Sequence, residues 1–508
     1  MVTMIRRLGA LLAIAAVAAV LHAEPAAAAQ SDDRIAAAVE DFATASGYPG
    51  IAVVVTDRDG ISDRAGYGVD SRGETITATT RMPVASVSKT MTAAAVMQLV
   101  AAGRVDLDTP VYDYLPDFRI RDRRGAEITV RHLLTQTSGI TDLTLREKSL
   151  PQPETLAAAE RRARGASLAT DPGAEYAYTN TNFHLAARIV ERVSGEPFGD
   201  YLEREIFRPA GMTRTTTIDV TPEDLPADVA DGHVCAYGLT PSAAEPHRFV
   251  NGSDGVITTA EDLARWLLVQ QNDGVAPDGT RVLPAGTVRQ MQTPQGDATY
   301  ALGWEVDRGS AGPEVGHGGI WFTYTADVLL TDSGHGIVVI GNSGLGLGNE
   351  GTGGLGTRIA DITDGRTADP MPPIRLWTDL VLAGFTLLTI VLGVRRLART
   401  GTWVRKHAGK AWWRIAARLM PRLGPTVLLF SLPYLIGLLV GGGRDVSLLQ
   451  LAYYSPALMA WTGIAAVANL ATIVVRILGL RRRDVRGPEA GAADGPAAHR
   501  PLGAAAAS

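Results

Sequence analysis

The sequence predicts a mixed α/β (α+β) domain, in which an antiparallel sheet is flanked by helices and joined to a helical subdomain, followed by three transmembrane helices. Three observations carry this prediction: β-branched runs near both ends of residues 30–362, helical and loop sequence between those runs, and three long apolar segments after residue 376. Strands at both ends with helices between them favour one antiparallel sheet that joins the two ends of the domain.

The strands are predicted from β-branched runs that are bounded by turn residues. Ile51–Thr56 is such a run, and the Asp-Arg-Asp-Gly turn at 57–60 leads from it into a second strand ending at Val69. The acidic spacing of this turn also resembles a calcium loop, but the further ligand positions of such a loop are not filled, so we favour a hairpin. The same pattern predicts three strands late in the domain, Ala301–Val306, Thr323–Leu330 and Gly336–Ile340.

The N-terminus has the pattern of a secretory signal peptide. A pair of arginines precedes the apolar run Leu8–Leu21, and small residues suited to cleavage follow at Ala23 and Ala29. We predict a signal peptide over residues 1–29, with a retained N-terminal anchor as the alternative. The single cysteine, Cys235, excludes an internal disulfide framework.

Charge is distributed unevenly along the chain. Residues 377–508 carry 16 Lys and Arg against 5 Asp and Glu, a net charge of +11, so the whole-chain charge of −5 leaves −16 on residues 1–376. Pro370, Pro372 and Pro373 lie just before the basic region that begins at residue 377, and these closely spaced prolines indicate a short stiff linker. We therefore predict five parts: a signal peptide at 1–29, an α/β domain at 30–362, a Pro-rich linker at 363–376, a three-helix membrane module at 377–482 and a disordered tail at 483–508.

The three apolar segments approach the length that spans a membrane. They are Leu380–Val394, Thr426–Val440 and Pro456–Val475. Buried helices of a soluble domain are the alternative, but nine cations and no acidic residue separate the first two segments, and an arginine cluster follows the third. The loop between the second and third has only Arg444 beside Asp445. By the positive-inside rule both basic loops face the cytoplasm, which predicts a multi-pass cell-membrane protein with its N-terminal domain on the extracytoplasmic face.

The basic loop between the first two segments also carries Trp403, Trp412 and Trp413 among its cations. Aromatic residues interleaved with cations are typical of an amphipathic helix that rests on anionic lipid. We therefore predict membrane lipid as the partner of this loop, and no nucleic acid, because spans bracket the basic run.

A hydroxyl and an amine stand three residues apart at Ser86 and Lys89, directly before an apolar run that predicts a buried helix ending near Gly103. Residues at this spacing share a helix face, so the two side chains would be neighbours. The first turn of a helix supplies free backbone N–H groups and the positive end of the dipole, which suits a serine nucleophile. Alone this pattern is weak, and a helix-start serine with a surface lysine is the alternative.

Further motifs in the same order resemble the serine β-lactamase superfamily, in particular class C-like β-lactamases, D-alanyl-D-alanine carboxypeptidases and related esterases. The resemblance covers residues 32–362 and implies a β-lactamase/transpeptidase-like fold. The motifs are Ser86-Val87-Ser88-Lys89, Leu107-Asp108-Thr109-Pro110-Val111, Tyr114-Leu115-Pro116, the stretch 128–139, Tyr178-Thr179-Asn180, the stretch 252–259 with Asp262-Leu263, Leu302-Gly303-Trp304 and His317-Gly318-Gly319.

The resemblance implies that Ser86 is the nucleophile and that Lys89 and Tyr178 transfer its proton. Neither lysine nor tyrosine is a base at pH 7 unless its pKa is perturbed. Burial would favour the neutral amine of Lys89, while a nearby ammonium would favour the phenolate of Tyr178. We expect Tyr178 to accept the proton with Lys89 tuning it, within one coupled pair. Asn180, on the same side of an extended segment, is expected to hydrogen-bond the substrate amide or Lys89.

His317-Gly318-Gly319 stands where β-lactamases of this group have Lys-Thr-Gly. The resemblance places His317, Gly319 and Ile320 at the substrate, with the backbone N–H groups of Ser86 and Ile320 as oxyanion donors and small residues letting the substrate backbone approach the strand. Histidine is mostly neutral at pH 7, so the fixed cation that would hold a β-lactam carboxylate is missing. This departure shifts the expectation from β-lactam hydrolysis toward esterase or peptidase action.

Together these expectations describe a membrane-anchored extracytoplasmic serine hydrolase of carboxypeptidase, esterase or β-lactamase type, acting through an acyl-serine on a small molecule or a peptide, cell-wall peptides included. The alternative is a non-hydrolytic penicillin-binding or sensor module coupled to the membrane helices. The Gly-x-Gly-x-x-Gly pattern at 351–356 lies too far from its strand for a dinucleotide site, and no zinc motif occurs. No cofactor or metal is therefore implied.

Overall fold

The structure, a computed structural model, describes residues 33–294, 299–309, 312–348, 351–367, 370–439 and 444–485. The predicted signal peptide, and residues 486–508 of the tail predicted at 483–508, lie outside these ranges, whereas residues 483–485 end the last helix. The helices are α1 (Asp33–Ser46), α2 (Ser88–Ala101), α3 (Val111–Tyr114), α4 (Val130–Leu134), α5 (Leu156–Ala163), α6 (Asn180–Ser194), α7 (Phe198–Leu202), α8 (Ala260–Gln271), α9 (Ala285–Gln292), α10 (Gly353–Thr363), α11 (Ile374–Ala398), α12 (Thr400–His407), α13 (Trp412–Leu419), α14 (Gly424–Leu439), α15 (Leu448–Tyr454) and α16 (Pro456–Val485). The strands are β1 (Gly50–Asp57), β2 (Gly60–Gly68), β3 (Met82–Pro83), β4 (Thr216–Thr217), β5 (Val220–Thr221), β6 (Gly232–His233), β7 (Ser242–Ala243), β8 (Arg248–Phe249), β9 (Val256–Thr258), β10 (Glu305–Gly309), β11 (Gly312–Ile320), β12 (Thr325–Leu330) and β13 (Gly336–Gly341).

Six strands form one antiparallel sheet in the order β10-β11-β12-β13-β1-β2. β1 pairs with β2 on one side and with β13, from the far end of the domain, on the other, where Val53 lies opposite Val339. In the turn between β1 and β2, Asp57 Oδ1 accepts hydrogen bonds from the N–H groups of Asp59 and Gly60 at 2.8 and 3.0 Å. The predicted sheet is therefore confirmed, and the acidic turn is a hairpin.

Strand β1 is buried on both faces, which explains why its sequence is apolar throughout instead of alternating. Ile51, Val53 and Val55 pack into a core with α1 and α10. Ala52 and Val54 point to the other face, into a larger core shared with α2 and α8. The sheet thus lies between two layers of helices, as the α+β class requires.

Helix α2 is buried on nearly every side, as the apolar run predicts. It ends at Ala101, and Gly103 follows in the left-handed region at φ +67°. Two predicted boundaries differ. The first turn of the predicted helix is a separate 3₁₀ turn, Ala85–Val87, and the strand predicted at Ala301–Val306 begins only at Glu305.

The chain divides into two compact units. Of the described residues, the first unit contains those from 33 to 380 and those of 433–457, and the second contains those of 381–432 and 458–485. The first unit therefore includes sequence beyond the predicted domain boundary at 362. In the second unit the Phe385 ring stacks on Trp461 with centroids 5.3 Å apart, and Trp461 Nε1 donates a hydrogen bond to Thr389 Oγ1 at 3.0 Å.

Among the described residues, three helical stretches are long and apolar enough to cross a membrane: Ile374–Ala398, Trp412–Leu439 and Pro456–Arg483. They coincide with the three predicted segments, each with longer bounds. The second stretch runs through α13, a 3₁₀ turn at Met420–Leu423 and α14. The orientation of these helices in a membrane stays a prediction.

Candidate active site

Ser86 lies in the 3₁₀ turn Ala85–Val87, between β3 and α2. Ala85 has φ +48°, in the left-handed region that residues with a Cβ rarely adopt. This turn packs against β11, where a Cβ on Gly319 would lie 2.2 Å from the carbonyl oxygen of Val84. A glycine is therefore required at position 319 to make room for the turn that carries Ser86. The sequence predicts a different reason, the approach of the substrate backbone to the strand.

Lys89 is fully buried, and its amine has three oxygen acceptors. Nζ donates to Ser86 Oγ at 2.8 Å, to the carbonyl oxygen of Ser253 at 2.9 Å and to Asp254 Oδ1 at 3.3 Å. Burial lowers the pKa of Lys89 to about 8, although the Asp254 carboxylate opposes this fall. The two side chains of the Ser-x-x-Lys pattern are thus in direct contact, and the amine ionises close to neutral pH.

Tyr178 faces the same two side chains. Its ring centroid lies 4.9 Å from Lys89 Nζ, and Tyr178 lines the same cavity as Ser86. Burial raises the pKa of Tyr178 well above its usual value and the Asp254 carboxylate adds to the rise, while the Arg444 guanidinium opposes it only in part. The expected shift toward phenolate is therefore outweighed, and Tyr178 is a neutral phenol at pH 7.

Asn180 begins α6, so it is helical and not part of the extended segment that the sequence predicts. Its Nδ2 donates to Asp254 Oδ2 at 2.8 Å. Its Oδ1 is buried and has no hydrogen-bond partner among the described residues. Asn180 thus reaches Lys89 only through a shared carboxylate, and it retains an unused acceptor.

Gln136 fixes the backbone between Tyr178 and Asn180. Its Oε1 accepts hydrogen bonds from the N–H of Thr179 at 3.2 Å and from Asn182 Nδ2 at 2.7 Å. The side chain is completely buried, and its own backbone is left-handed at φ +58°. Gln136 is therefore a positioning residue for the Tyr-x-Asn segment.

Asp254 is the residue of this site to which sequence reasoning assigned no role. Its buried carboxylate accepts hydrogen bonds from Ser86 Oγ at 2.6 Å and from Arg248 Nη1 at 3.4 Å, in addition to Asn180. Burial raises the pKa of Asp254, but the charges of Lys89 and Arg248 and the Ser86 hydrogen bond outweigh burial and hold the pKa well below its usual range. The carboxylate is therefore ionised at neutral pH. The sequence feature that could have indicated Asp254 is its position as an acidic residue within the motif at 252–259.

His317 is buried on β11, and both ring nitrogens contact protein groups. Nδ1 lies 2.7 Å from the carbonyl oxygen of Gly318, which can only accept, so Nδ1 carries the proton and Nε2 accepts from the Tyr300 hydroxyl at 3.0 Å. Burial lowers the pKa of His317, which keeps the ring neutral at pH 7. Of the described residues of this strand, Gly318 and Ile320 line the cavity, so substrate contact by His317 stays a prediction.

These side chains surround a cavity of about 1110 Å³ within the first compact unit. Ser86, Tyr178, Asn180 and Asp254 line it together with Ile320. Ligand sites for drug-sized molecules usually enclose ~300–1,000 Å³, so this cavity is large enough for a small molecule or a short peptide segment.

The antiparallel sheet and the contact between Ser86 and Lys89 define a protein of the serine β-lactamase/transpeptidase superfamily. The family model described as Beta-lactamase matches residues 35–354, more than half of the chain. The chain therefore belongs to the beta-lactamase family. The beta-lactamases and penicillin-binding proteins of this superfamily are serine hydrolases.

Three similar proteins agree with this assignment. Penicillin-binding protein 4 of Amycolatopsis lactamdurans is 35% identical over 259 residues, which are 48% of this chain and 65% of that protein, less than two thirds of its length. The structure of the octameric penicillin-binding protein homologue from Pyrococcus abyssi aligns with a TM-score of 0.55 and 23% identity, over 68% of this chain and 79% of that one. The D-amino acid amidase from Ochrobactrum anthropi SV3 aligns with a TM-score of 0.54 and 22% identity, over 65% and 97%. At these identities the two structures show a shared fold.

Proposed function

We propose that this chain is a membrane-anchored extracytoplasmic serine hydrolase that cleaves an ester, amide or peptide bond through an acyl-Ser86 intermediate. The observation that carries the proposal is the 2.8 Å hydrogen bond from the buried amine of Lys89 to Ser86 Oγ. A hydroxyl becomes a useful nucleophile when an adjacent base with a suitable pKa can take its proton. Membership of the beta-lactamase family supports the same chemistry.

In the proposed mechanism Lys89 is the base, because its pKa of about 8 leaves roughly a tenth of the amine neutral at pH 7. The neutral amine takes the Ser86 proton as Oγ bonds to the substrate carbonyl carbon, and the backbone N–H groups of Ser86 and Ile320 stabilise the oxyanion. Tyr178, a neutral phenol, gives its proton to the leaving group, and the Lys89 ammonium restores it. The net result is a proton moved from Ser86 to the leaving group, and an acyl-Ser86 that water then hydrolyses.

The cavity suits a small-molecule or peptide substrate. The unused Oδ1 of Asn180 is an acceptor for a substrate amide N–H, since a buried acceptor without a partner carries a desolvation cost that a ligand relieves. Peptides, amides and esters with a neighbouring amide group are therefore the proposed substrate class, cell-wall peptides among them.

The three apolar helices are proposed to anchor this domain to the cell membrane. The basic loop between the first two helical stretches would lie at the cytoplasmic lipid surface. Exposed Trp412 and Trp413, at the start of the second stretch, would lie there beside its cations. The domain with Ser86 would then lie on the extracytoplasmic face.

The test uses the full chain in detergent, with 4-nitrophenyl acetate as the ester and a fluorescent penicillin as the acylating probe. We expect ester turnover in the unaltered protein and in Ser333→Ala, an exposed loop serine that serves as control, and its loss in Ser86→Ala. Turnover that survives in Ser86→Ala would refute the mechanism. Stable penicillin labelling of Ser86 without turnover of any substrate would instead favour a non-hydrolytic binding module.

A further inference from the structure

One wall of the active-site cavity comes from sequence outside the matched family domain. Residues 444–454 lie between the second and third candidate spans, far beyond residue 354 where the family match ends. They nevertheless belong to the first compact unit, and Arg444 and Tyr454 line the same cavity as Ser86. We call residues 444–454 the wall segment.

The wall segment is fixed to the hydrolase fold by polar contacts at its start. The carboxylate of Asp445 is fully buried and accepts hydrogen bonds from the backbone N–H of Ser149 at 3.1 Å and from its hydroxyl at 2.9 Å. Buried carboxylates with several donors hold their surroundings in one arrangement, because breaking a single contact leaves a buried charge unpaired.

Aromatic contacts fix the end of the segment next to the strand that lines the cavity. The rings of Tyr453 and Tyr454 lie 5.0 and 5.7 Å from the ring of Phe322, two residues after Ile320. The Tyr453 hydroxyl also donates to the carbonyl oxygen of Ala244 at 2.9 Å. Both ends of the wall segment are therefore held against the edge of the cavity.

Arg444 is the residue that this arrangement presents to the catalytic groups. Its guanidinium carbon lies 4.7 Å from the ring centroid of Tyr178, and its Nε donates to Asp142 Oδ2 at 2.8 Å. Asp142 is shared with Lys148, whose Nζ lies 3.2 Å from the same oxygen. One carboxylate therefore faces two cations, and about a third of the Arg444 side chain remains exposed.

The distance from Arg444 to the nucleophile is suitable for substrate recognition. Lys89 Nζ is 4.9 Å from the Tyr178 ring centroid and 2.8 Å from Ser86 Oγ, which puts the Arg444 guanidinium within roughly 12 Å of Oγ. An extended peptide covers about 3.3–3.6 Å per residue, so this distance corresponds to a group no more than about four residues from the scissile bond.

We propose that Arg444 is a specificity-determining residue that binds a carboxylate of the substrate, and thereby supplies from the wall segment the fixed cation that the His317-Gly318-Gly319 motif lacks. The inference rests on the proposed hydrolase function. A guanidinium is always charged and its planar donors match a carboxylate, whereas His317 is buried, neutral and bonded to Tyr300.

The experiment compares matched substrates on the full chain in detergent. One pair places the carboxylate on the acyl side: the mono-4-nitrophenyl ester of adipic acid and its methyl-capped diester. The other pair places it on the leaving group: a phenylacetyl thioester of thioglycolic acid and the methyl ester of that thioester. We expect the carboxylate form to be preferred in at least one pair, and Arg444→Ala to raise its KM about ten- to a hundredfold at little change in kcat.

The controls separate recognition from folding and from the proposed function. Arg444→Lys should keep part of the preference, and Arg164→Ala, an exposed cation directly after α5 that does not line the cavity, should keep all of it. Misfolding would lower the turnover of both substrates of a pair equally. If turnover depends on Ser86 but Arg444→Ala affects both substrates of each pair equally, the inference about Arg444 is wrong and the proposed function is unaffected. Turnover that survives in Ser86→Ala, or none of the four compounds turned over, would overturn the proposed function and this inference with it.

Discussion

Ser86 Oγ donates a 2.6 Å hydrogen bond to Asp254 Oδ1, so at rest the serine proton points at a buried carboxylate and not at the amine of Lys89. Lys89 Nζ donates both to that carboxylate and to Ser86 Oγ. The charge of Asp254 stabilises the ammonium, and it therefore opposes the fall in the pKa of Lys89 that burial causes. Asp254 thus sets how much of the amine is available as a base.

Replacing Asp254 by asparagine keeps the size of the side chain and removes its charge. We expect the pKa of Lys89 to fall further, because an opposite charge at this distance shifts a pKa by about 1–3 units. The midpoint of kcat/KM against pH should move down by a similar amount. The plateau should fall because Ser86 then donates to a neutral amide oxygen, a weaker acceptor than a carboxylate, and the new amide NH2 faces the donor of Asn180. Asp262→Asn, a buried carboxylate at the start of α8, is the matched control and should leave the midpoint in place. An unchanged midpoint in Asp254→Asn would disprove this role.

The unaltered protein should show one ionisation in kcat/KM for a neutral ester. Because the active form has a neutral Lys89, the rate should rise with pH up to about 8 and then stay level to pH 10. Burial keeps His317 neutral, so no second inflection is expected near its usual pKa. A rate that keeps rising beyond pH 10 would identify the phenolate of Tyr178 as the base instead.

The two glycines before Ile320 should respond differently to alanine. A Cβ on Gly319 would meet the Val84 carbonyl oxygen at 2.2 Å, whereas a Cβ on Gly318 meets only Asp327 Oδ1 at 3.8 Å. Gly319→Ala should displace the turn that carries Ser86, lowering the free energy of unfolding by about 1–3 kcal/mol and ester turnover at least tenfold. Gly318→Ala should leave Tm unchanged. Equal Tm values for the two variants in detergent would contradict the packing argument.

The proposed orientation can be tested with single cysteines introduced after Cys235→Ser. Exposed Asp117 lies in the hydrolase domain, and exposed Lys410 lies in the basic loop between the first two candidate spans. In intact cells a membrane-impermeant maleimide should label Asp117→Cys and not Lys410→Cys, and permeabilisation should expose the latter. Labelling of Lys410→Cys in intact cells would reverse the proposed topology.

The sequence predicted the parts of the fold and site that depend on local spacing. The apolar strand at 50–57 and the buried helix after Ser86 follow from short-range patterns, as does the contact between Ser86 and Lys89, three residues apart. The order of the motifs placed Tyr178 near them because the family fixes that topology. The catalytic roles of these residues stay predictions.

The remainder depends on contacts between distant segments. Asp254 lies 168 residues from Ser86, and no local pattern shows which lysine a buried aspartate will face. Arg444 lies outside the family domain altogether, in a loop that composition alone assigns to the membrane module. His317 was expected at the substrate, but its rotamer follows from the Gly318 carbonyl and the Tyr300 hydroxyl, which only the folded chain brings together.

Locating the acyl group tests the role of Ser86 as nucleophile without any assumption about the physiological substrate. The full chain in detergent is mixed with 4-nitrophenyl acetate at pH 8, quenched in acid within milliseconds to seconds, digested and analysed by mass spectrometry. We expect a transient acetyl group on the peptide that contains Ser86, lost on longer incubation and not formed in Ser86→Ala. Turnover with no acyl group on Ser86 at any time, or with the group on another residue, would contradict it.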